Sequence, residues 1–379
     1  MVEKTKCCGC SACAQICPLK CIIMREDQLG FLYPEIDNNN HCVHCGLCEK
    51  VCPVLNKGER EQAPKMCWGG HANSEIIRKA SSSGGLFTLF AESVISDGGV
   101  VFGARLSRDC DAVYHDMVET SEELSALRGS KYVQSDINDC YLRAKNQLLK
   151  GRQVLFSGTQ CQIDGLRLFL GKEYPNLLTV EIICHGTPSP KLYKKYIGYV
   201  ENKFCDSIKH VCFRNEKGGS IFFMRIESKK GKEYRQSSIS DPYFRLFLSD
   251  TCLRESCYQC PSKGLYCRAD ITISDFWGVD NSYPELNDGG GLSLVLLHND
   301  KGVEAFKTIL DGCTGHEVDF DKAIRGNIAF YNSYSRPVLR DNIEKEIDTV
   351  GFRAIVNKYG QKRERIIKKI GKKIISRFS

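Results

Sequence analysis

Two groups of four cysteines near the start of the chain have the spacing of iron–sulfur ligands. The first group has the pattern C-x2-C-x2-C-x3-C-P and ends at Pro18, and the second repeats the pattern and ends at Pro53. A 4Fe-4S cube needs four thiolates, of which three come from one tight loop and the fourth comes from the other motif. The predicted ligands are Cys7, Cys10, Cys13 and Cys52 for cluster one, and Cys42, Cys45, Cys48 and Cys17 for cluster two.

A zinc ribbon is the structural alternative for these two motifs. It would need two C-x2-C pairs and no third cysteine in each loop, so the triplets favour a two-cluster ferredoxin domain over residues 1–57. Cys8 and Cys21 fall outside the pattern and are expected to be buried thiols. Two clusters in one small module form an electron path, and such a path needs a donor and an acceptor.

The composition of the chain is that of an ordinary globular protein. Its 379 residues are 42% hydrophobic and 26% charged, which excludes disorder. No apolar run approaches the ~18 residues of a membrane helix, and the first residues lack the apolar segment of a signal peptide. With 22 cysteines and no secretory signal, the chain is expected to be cytoplasmic, where clustered cysteines indicate metal binding.

After a polar linker at residues 58–65, apolar β-type runs alternate with helix-like segments. The predicted strands are 100–106, 154–157, 178–184, 208–214, 220–228, 271–275 and 293–298. The predicted helices are 86–96, 137–149, 163–170, 190–203 and 302–310. The predicted fold class is therefore α+β, with a bacterial-type ferredoxin domain, a mixed α/β domain over residues 66–335 and a basic helical tail over residues 336–379.

The end of the chain is strongly basic. Residues 361–379 contain eight Lys and Arg residues against Glu364, a balance of +7 that equals the formal net charge of the whole chain. Ile366, Ile370 and Ile374 lie four residues apart, which predicts an amphipathic helix. This helix either packs its isoleucines on the domain or docks to an acidic partner or to the inner membrane surface. Because no aromatic residues are interleaved with the charges, we expect no nucleic-acid partner.

Two short loops have residues suited to an anion. Residues 81–85, Ser-Ser-Ser-Gly-Gly, directly precede a predicted helix, where backbone N–H groups and the helix dipole favour a phosphate or pyrophosphate. The structural alternative is a serine N-cap with glycines for the turn. Residues 128–134 place a cation, hydroxyls and an aromatic ring in one loop, which suits a phosphate and a ring system together.

A third set of cysteines lacks the ferredoxin triplet. Cys257 and Cys260 form one C-x2-C pair and need two further ligands. The candidates are Cys161 and Cys184, which are distant partners at strand ends, and Cys252 and Cys267, which are local ones. A zinc site or free thiols are the structural alternative. Since Cys161 is predicted at a helix N-terminus, its thiolate form is expected to be favoured. Neither a Rossmann fingerprint nor a Walker A sequence is evident.

Taken together, these loops resemble the coenzyme F420 hydrogenase/dehydrogenase beta subunit family. The resemblance covers nearly all of residues 66–335, and an N-terminal ferredoxin extension is common in that family. The motifs that carry the resemblance, in chain order, are residues 81–85, 129–134, 158–162, 184–189, 256–261 and 269–278. One departure is Gln160, where a proline is usual in the family. This difference concerns the expected geometry of the turn, and it does not change the assignment of Cys161 as a candidate ligand.

The resemblance implies an FAD-dependent iron–sulfur protein with a further 4Fe-4S cluster beside the flavin. The cysteines that match the family are Cys161, Cys184, Cys257 and Cys260. The implied flavin-binding residues are Ser81, Ser82, Ser83, Gly84 and Gly85 for the pyrophosphate, Ser130, Lys131 and Tyr132 near the ring or phosphate, and Gly158, Thr159 and Gln160 beneath the flavin. Family members include deazaflavin-reducing hydrogenase subunits, formate dehydrogenase subunits and a plant chlorophyll reductase.

The predicted function is an oxidoreductase that moves electrons from a ferredoxin-like donor through 4Fe-4S clusters to FAD, and on to coenzyme F420 or another small substrate. His185 is the candidate proton donor because imidazole titrates near neutral pH, and a structural turn residue is its alternative. The second hypothesis is an electron-transfer subunit that feeds a partner enzyme, and the third is an iron–sulfur scaffold without flavin. A partner subunit and a homo-oligomer stay open.

Overall fold

The structure is a computed structural model that describes residues 1–37, 42–58, 63–214, 222–266 and 268–360. Cys267, the start of the predicted strand at 220–228 and the predicted basic helix at 361–379 lie outside these described residues. Within the described ranges, no helix combines the length and the apolar character needed to cross a membrane.

The N-terminal module consists of two short helices and one hairpin. Its elements are α1 (Ala12–Ile16), β1 (Ile22–Glu26), β2 (Leu32–Ile36) and α2 (Leu47–Lys50). Strands β1 and β2 pair antiparallel, with Ile22 opposite Ile36. Each helix begins after a residue in the left-handed region, Ser11 before α1 and Gly46 before α2. Each cysteine triplet therefore starts in a loop and ends inside a short helix.

The rest of the described chain contains eleven strands in two sheets. These strands are β3 (Met66–Ala72), β4 (Val100–Leu106), β5 (Val113–Val118), β6 (Val154–Thr159), β7 (Leu177–Ile182), β8 (Ile208–Cys212), β9 (Phe223–Ser228), β10 (Glu233–Ser237), β11 (Ile271–Asp275), β12 (Ser293–Leu297) and β13 (Cys313–Glu317). The larger sheet has the order β13-β3-β12-β11-β7-β6-β4-β5, and the smaller has the order β10-β9-β8.

Eleven helices of this part cover the sheets and connect the strands. They are α3 (Glu75–Lys79), α4 (Leu86–Ser96), α5 (Cys140–Leu149), α6 (Gln160–Leu170), α7 (Pro190–Phe204), α8 (Pro242–Phe247), α9 (Val279–Ser282), α10 (Asp300–Ile309), α11 (Phe320–Ala323), α12 (Arg340–Glu346) and α13 (Phe352–Tyr359). The mixed α/β architecture behind a ferredoxin-like module is confirmed.

Four neighbouring strands of the large sheet run parallel, and they define its functional edge. Strands β4, β6, β7 and β11 pair in parallel, so their carboxyl ends point the same way. Thr159 ends β6, Ile182 ends β7 and Asp275 ends β11. Strand β12 runs antiparallel to β11 with Ser293 opposite Asp275, so Ser293 lies at the same edge. We call this side of the sheet the carboxyl edge, where ligands bind in open α/β sheets.

The smaller sheet and its helices enclose an aromatic core. Tyr196 of α7 stacks on Tyr243 of α8, with ring centroids 5.3 Å apart. Asp241 caps the N-terminus of α8, and its Oδ2 accepts hydrogen bonds from the hydroxyls of Tyr196 and Tyr234 at 2.7 and 2.8 Å. Burial raises the pKa of Asp241 to about 6. This core holds the loop that follows α8, and that loop reaches the carboxyl edge.

The ferredoxin-like module packs directly on α6 and α5. A Cβ added at Gly165 in α6 would lie only 2.9 Å from the Cys10 sulfur, so only glycine allows this close approach. The Gln15 side chain accepts hydrogen bonds from the backbone N–H groups of Tyr141 and Leu142 at the start of α5. Because α6 begins at the carboxyl edge, this packing brings the module close to that edge.

Some predicted elements match the structure and others differ for physical reasons. The bounds predicted for α4 and β4 are those observed, whereas α6 begins at Gln160, three residues before the predicted start. Strand β7 ends at Ile182, so Cys184 lies in the following loop. Strands β3, β5, β10 and β13 are missing from the prediction. Most of β13 is exposed at the sheet edge, and β3 contains a Gly-Gly pair, so neither has the apolar alternation of a typical strand.

Candidate functional site

The four predicted ligands of cluster two line one cavity. Its volume is about 260 Å³, and its lining includes Cys17, Cys42, Cys45 and Cys48. Cys45 is exposed, whereas the other three cysteines are partly buried. Cys21, expected to be a buried thiol, is buried and lies with its sulfur 3.3 Å from the Cys17 sulfur. A cavity bordered by four thiols from both motifs suits a cube with thiolates at its corners.

The four predicted ligands of cluster one line a second, smaller cavity. Its volume is about 30 Å³, and its lining includes Cys7, Cys10, Cys13 and Cys52. Cys7 and Cys10 are buried, so this cavity lies deeper than that of cluster two. Within the described ranges, no group of three or more His, Cys, Asp or Glu residues is arranged to hold a single metal ion. The donor sets fit clusters whose ligands surround a cavity.

Cys8 connects cluster one with the larger domain. Its thiol is buried and hydrogen-bonded to those of both Cys10 and Cys161. Cys10 is a predicted ligand of cluster one, and Cys161 is the second residue of α6. The backbone carbonyl of Cys8 accepts a hydrogen bond from the Gln134 side chain at 3.1 Å. Two neighbouring sulfurs of the module and the distant sulfur of Cys161 therefore form a continuous contact between the module and the carboxyl edge.

The third set of cysteines also comes together at the carboxyl edge. The thiols of Cys161, Cys184, Cys257 and Cys260 lie within electrostatic range of one another. The Cys257 sulfur accepts a hydrogen bond from the backbone N–H of Thr187 at 3.4 Å. The Lys263 ammonium group donates to the Cys184 carbonyl at 2.7 Å. This group of four thiols, with N–H donors and a cation beside it, is suited to an anionic cluster.

The expectation that Cys161 favours its thiolate form is wrong for the thiol described by this structure. The hydrogen bond with Cys8 and burial raise the pKa of Cys161 well above its usual range. Burial also raises the pKa of Cys184, and it raises the pKa of Cys260 to about 12. The helix N-terminus is therefore insufficient to ionise Cys161. A bound cation such as iron would supply the missing positive charge.

The serine–glycine loop at residues 81–85 also lies at the carboxyl edge. The Ser83 hydroxyl donates to the Leu292 carbonyl at 2.5 Å, and the Gly84 N–H donates to the Ser293 hydroxyl at 3.0 Å. Ser81 donates to the carbonyl of Ile77 in α3. Gly85 caps the N-terminus of α4, so the loop meets the positive end of an 11-residue helix.

A hydrogen bond joins this loop to the second predicted loop. The Ser82 hydroxyl accepts from the backbone N–H of Ser130 at 2.7 Å. The two segments are 48 residues apart in sequence. The structure therefore brings together the two loops that the resemblance assigns to one flavin.

The turn between β6 and α6 holds its predicted residues in a regular helix start. Thr159 is the N-cap residue, and its N–H donates to the Gln162 side chain at 3.0 Å. Gln160 is the first helical residue, and its side chain is buried against the Gly264 carbonyl. Proline is favoured at the first helical position because its missing N–H has no partner there. The turn beside Gly158 therefore leads into a regular helix that has Gln160 at its first position.

Lys131 is bound to backbone carbonyl groups of its own loop. Its ammonium group donates to the carbonyls of Ala126, Leu127 and Arg128 at 2.9–3.0 Å. Burial lowers the pKa of Lys131 to about 7. The side chain thus holds the loop that carries Ser130 and Tyr132, and we propose positioning in place of a phosphate contact.

Replacing Lys131 with methionine should loosen this loop. The substitution leaves three carbonyls without their donor, and a lost partner costs about 1–3 kcal/mol for each buried group. We expect the amide hydrogens of residues 123–133 to exchange at least tenfold faster, measured by hydrogen–deuterium exchange. The control is K345M, which changes an exposed lysine of α12. Unchanged exchange in K131M would show that the three hydrogen bonds contribute nothing to the loop.

Tyr132 lies in an aromatic cluster that extends to the carboxyl edge. Its ring stacks on Phe222 at 6.0 Å and contacts Phe247 at 5.2 Å. Its hydroxyl is hydrogen-bonded to Ser130 and Arg214, and burial raises its pKa. The Arg214 side chain is 8% exposed and pairs with Asp275 at the end of β11. Its Nε is buried and has no partner among the described residues, so it is available to an acceptor atom of a ligand.

His185 is held by a carboxylate and two rings. Its Nε2 lies 2.6 Å from Oδ1 of Asp250. The imidazole stacks on Tyr334 with centroids 3.8 Å apart and contacts Phe247 at 4.8 Å. The side chain remains 22% exposed. Phe247 contacts both Tyr132 and His185, so it places the imidazole beside the aromatic cluster.

Sequence reasoning missed several residues of this site. Asp250, Arg214 and Tyr334 lie outside the motifs that carried the resemblance, and each meets its partner through the fold. Arg254 carried a weak signal, since it lies three residues before Cys257. The position of Cys252 argues against its role as a local ligand, because it is fully buried and its electrostatic neighbours are Arg340 and Asp250.

The two cysteine motifs of the N-terminal module, each set of predicted ligands lining one cavity, define an iron–sulfur protein of the oxidoreductase class. Residues 6–56 match the family described as a 4Fe-4S dicluster domain. Residues 151–320 match the family described as the C-terminal region of the coenzyme F420 hydrogenase/dehydrogenase beta subunit. These two matches support the resemblance to the coenzyme F420 hydrogenase/dehydrogenase beta subunit family, with a 4Fe-4S ferredoxin domain at the N-terminal end.

The curated relatives resemble the N-terminal part of the chain. A 7Fe ferredoxin of Hydrogenibacillus schlegelii is 41% identical over 44 residues, which are 12% of this chain and 49% of that protein. A ferredoxin of Mycolicibacterium smegmatis is 33% identical over 76 residues, which are 20% of this chain and 65% of that protein. The chain therefore spans about half of the length of the first relative and less than two thirds of the length of the second.

Among the solved structures that are similar to this chain is one that aligns with most of its length. It is a chain from the xenon-derivatised F420-reducing NiFe hydrogenase complex of Methanosarcina barkeri. The similarity covers 81% of this chain and 99% of that chain, with 17% identity and a TM-score of 0.47.

Proposed function

We propose that this chain is a flavin- and iron–sulfur-dependent oxidoreductase. Electrons from a ferredoxin-like donor enter at cluster two and pass through cluster one and a third 4Fe-4S cluster to FAD. They then reach a small organic acceptor such as coenzyme F420. The observation that carries this proposal is the meeting of the third cysteine set and the two anion-suited loops at one carboxyl edge.

The burial of the cysteines supports this order of the clusters. Cys45 of cluster two is exposed, so a donor protein can approach that cavity closely. Cys10 of cluster one is buried against α6 and is linked to Cys161 through the thiol of Cys8. The direction from the surface to the carboxyl edge is therefore cluster two, cluster one and the third set.

The carboxyl edge offers a site that suits FAD. The loop at residues 81–85 and the start of α4 favour a pyrophosphate, and the buried Nε of Arg214 is free to bond an acceptor atom. Tyr132 and its aromatic neighbours provide apolar surface for a ring system. Bound flavin would supply the exchange between single-electron and two-electron chemistry. The protein residues hold the cofactor, exclude water and keep the cysteines close.

His185 is the proposed proton donor to the acceptor. Its Nε2 must carry a hydrogen to bond the Asp250 carboxylate, so Nδ1 is the nitrogen that gains or releases a proton. Among the described residues, none forms a hydrogen bond with this Nδ1. Asp250 fixes the ring orientation through this hydrogen bond, as a carboxylate does for a catalytic histidine.

The test is anaerobic purification with iron, sulfide and FAD quantified on one sample. We expect about twelve irons and one FAD per chain, which corresponds to three cubes and one flavin. Reduced ferredoxin should then reduce the bound flavin, and a screen of organic acceptors should find one that reoxidises it. The readouts are the flavin absorbance and the rate of acceptor reduction.

Different results of this test would contradict different parts of the proposal. About eight irons with one FAD would contradict the proposed third cluster and would still be consistent with a flavin-dependent reductase. Eight irons without flavin, even after reconstitution with FAD, would favour the electron-transfer subunit. In that case the chain would feed a partner enzyme, as the family's description as a beta subunit suggests. A flavin that is reduced but passes electrons only to a partner protein would also favour the subunit.

A further inference from the structure

Arg254 is a buried cation between the ferredoxin module and the third cysteine set. Its side chain is 1% exposed. The guanidinium donates through Nε to the Cys7 carbonyl at 2.6 Å and through Nη2 to the Cys7 sulfur at 3.7 Å. Nη2 also donates to the Leu32 carbonyl at 2.9 Å, and Nη1 donates to the Gln134 side chain at 3.1 Å. Every polar group of the guanidinium therefore has a partner, and one partner is a predicted ligand sulfur of cluster one.

The backbone of Arg254 reaches the third cysteine set. The Arg254 carbonyl accepts a hydrogen bond from the N–H of Cys257 at 2.9 Å, and the Arg254 N–H donates to the Thr187 carbonyl at 2.9 Å. The side-chain charge of Arg254 also lies within electrostatic range of the thiols of Cys8 and Cys257. Arg254 thus contacts both the ferredoxin-like module and the segments that carry the third cysteine set.

The charge of Arg254 has no carboxylate to balance it within the described part of the chain. No Asp or Glu forms an ion pair with it there, and its ring neighbours are Tyr33 and Phe31, with the guanidinium 4.0 and 5.5 Å from their centroids. A buried charge without a counter-ion is costly. The sequence nevertheless makes room for it, since a Cβ added at Gly9 would lie 2.6 Å from Nη1. The negative charge that balances Arg254 must therefore lie between the ferredoxin-like module and the third cysteine set.

We propose that Arg254 is a positioning residue whose charge and N–H···S hydrogen bond raise the reduction potential of cluster one and so favour electron transfer from cluster two into cluster one. Thiolate-ligated 4Fe-4S clusters are anionic, and reduction adds one more negative charge. A buried cation stabilises the reduced form because little solvent screens it. This inference rests on the proposed ligand set of cluster one and is independent of FAD.

The experiment is a potentiometric titration of the reconstituted full chain, followed by EPR spectroscopy. Cluster one is assigned as the signal lost in C10S. In R254Q the reduction potential of cluster one should shift to a more negative value, because the substitution removes the positive charge and the N–H donors of the guanidinium. R254K keeps the charge and should lie between R254Q and the unchanged protein. Cluster two should shift less than cluster one, and R225Q, which removes a partly exposed arginine of β9, should shift neither.

Two results would overturn the inference. One is an R254Q variant with full iron content whose cluster one titrates as in the unchanged protein. The other needs no variant: in chain labelled with 15N-arginine, the reduced cluster one should show a hyperfine coupling to a guanidinium nitrogen, and its absence contradicts the contact with Cys7. If R254Q fails to retain iron, this second measurement decides. Iron content in the unlabelled protein tests the ligand set separately.

Discussion

Replacing Cys257 with serine should remove about four irons per chain and leave the ferredoxin clusters in place. Its sulfur lies among those of Cys161, Cys184 and Cys260, and the Thr187 N–H holds it in position. A serine hydroxyl is a poorer ligand for iron than a thiolate. Since the third cluster is the proposed link to the flavin, reduction of FAD by ferredoxin should fall at least a hundredfold.

The matched control for this variant is C252S. Cys252 lies five residues before Cys257 and is fully buried, but its electrostatic neighbours are Arg340 and Asp250. We therefore expect C252S to keep its iron and its rate of flavin reduction. Iron and zinc are quantified together on both variants, and EPR spectroscopy follows the remaining clusters. Loss of iron from C252S with full retention in C257S would reverse the ligand assignment. Stoichiometric zinc in the purified protein would indicate a zinc site in place of the third cluster.

The parts of the site that sequence predicts well are those encoded over short distances. The spacing C-x2-C-x2-C-x3-C-P directly reflects how one loop wraps a cube, and the structure places each predicted ligand set around one cavity. The apolar run of α4 and the preceding glycines likewise fix its bounds locally. These features depend on neighbouring residues, so the fold adds little to them.

The parts that sequence misses depend on contacts between distant segments. Cys8 looks like an ordinary buried thiol until the packing of the module on α6 brings it against Cys161. Arg254 meets the Cys7 carbonyl across 247 residues of sequence, and no local pattern marks that partner. The ammonium group of Lys131 could bind a phosphate, but in the structure it donates its hydrogen bonds to three nearby backbone carbonyls. Residue type alone therefore predicts what a side chain can do, and the fold decides what it contacts.

Changing His185 to asparagine should lower the rate of organic acceptor reduction by about 10²–10⁴-fold, the usual contribution of a positioned acid or base. The reason is that Nδ1 is the proposed source of the proton, and an asparagine amide cannot titrate. Electron transfer to a single-electron dye needs no proton from this site and should stay within about twofold of the unchanged rate. The measurement compares steady-state rates with both acceptors on the same preparation, with FAD and iron contents as checks on loading.

The D250N variant separates proton donation from ring orientation. Asp250 has φ +59°, a conformation that asparagine also tolerates, so the loop should keep its shape. The neutral amide holds the Nε2–H of His185 more weakly than the carboxylate does, so the ring is less firmly oriented and the rate with the organic acceptor should fall. H316Q, which changes an exposed surface histidine, should leave both rates unaltered. An equal loss with both acceptors in H185N would contradict proton donation and make His185 a structural residue of the turn.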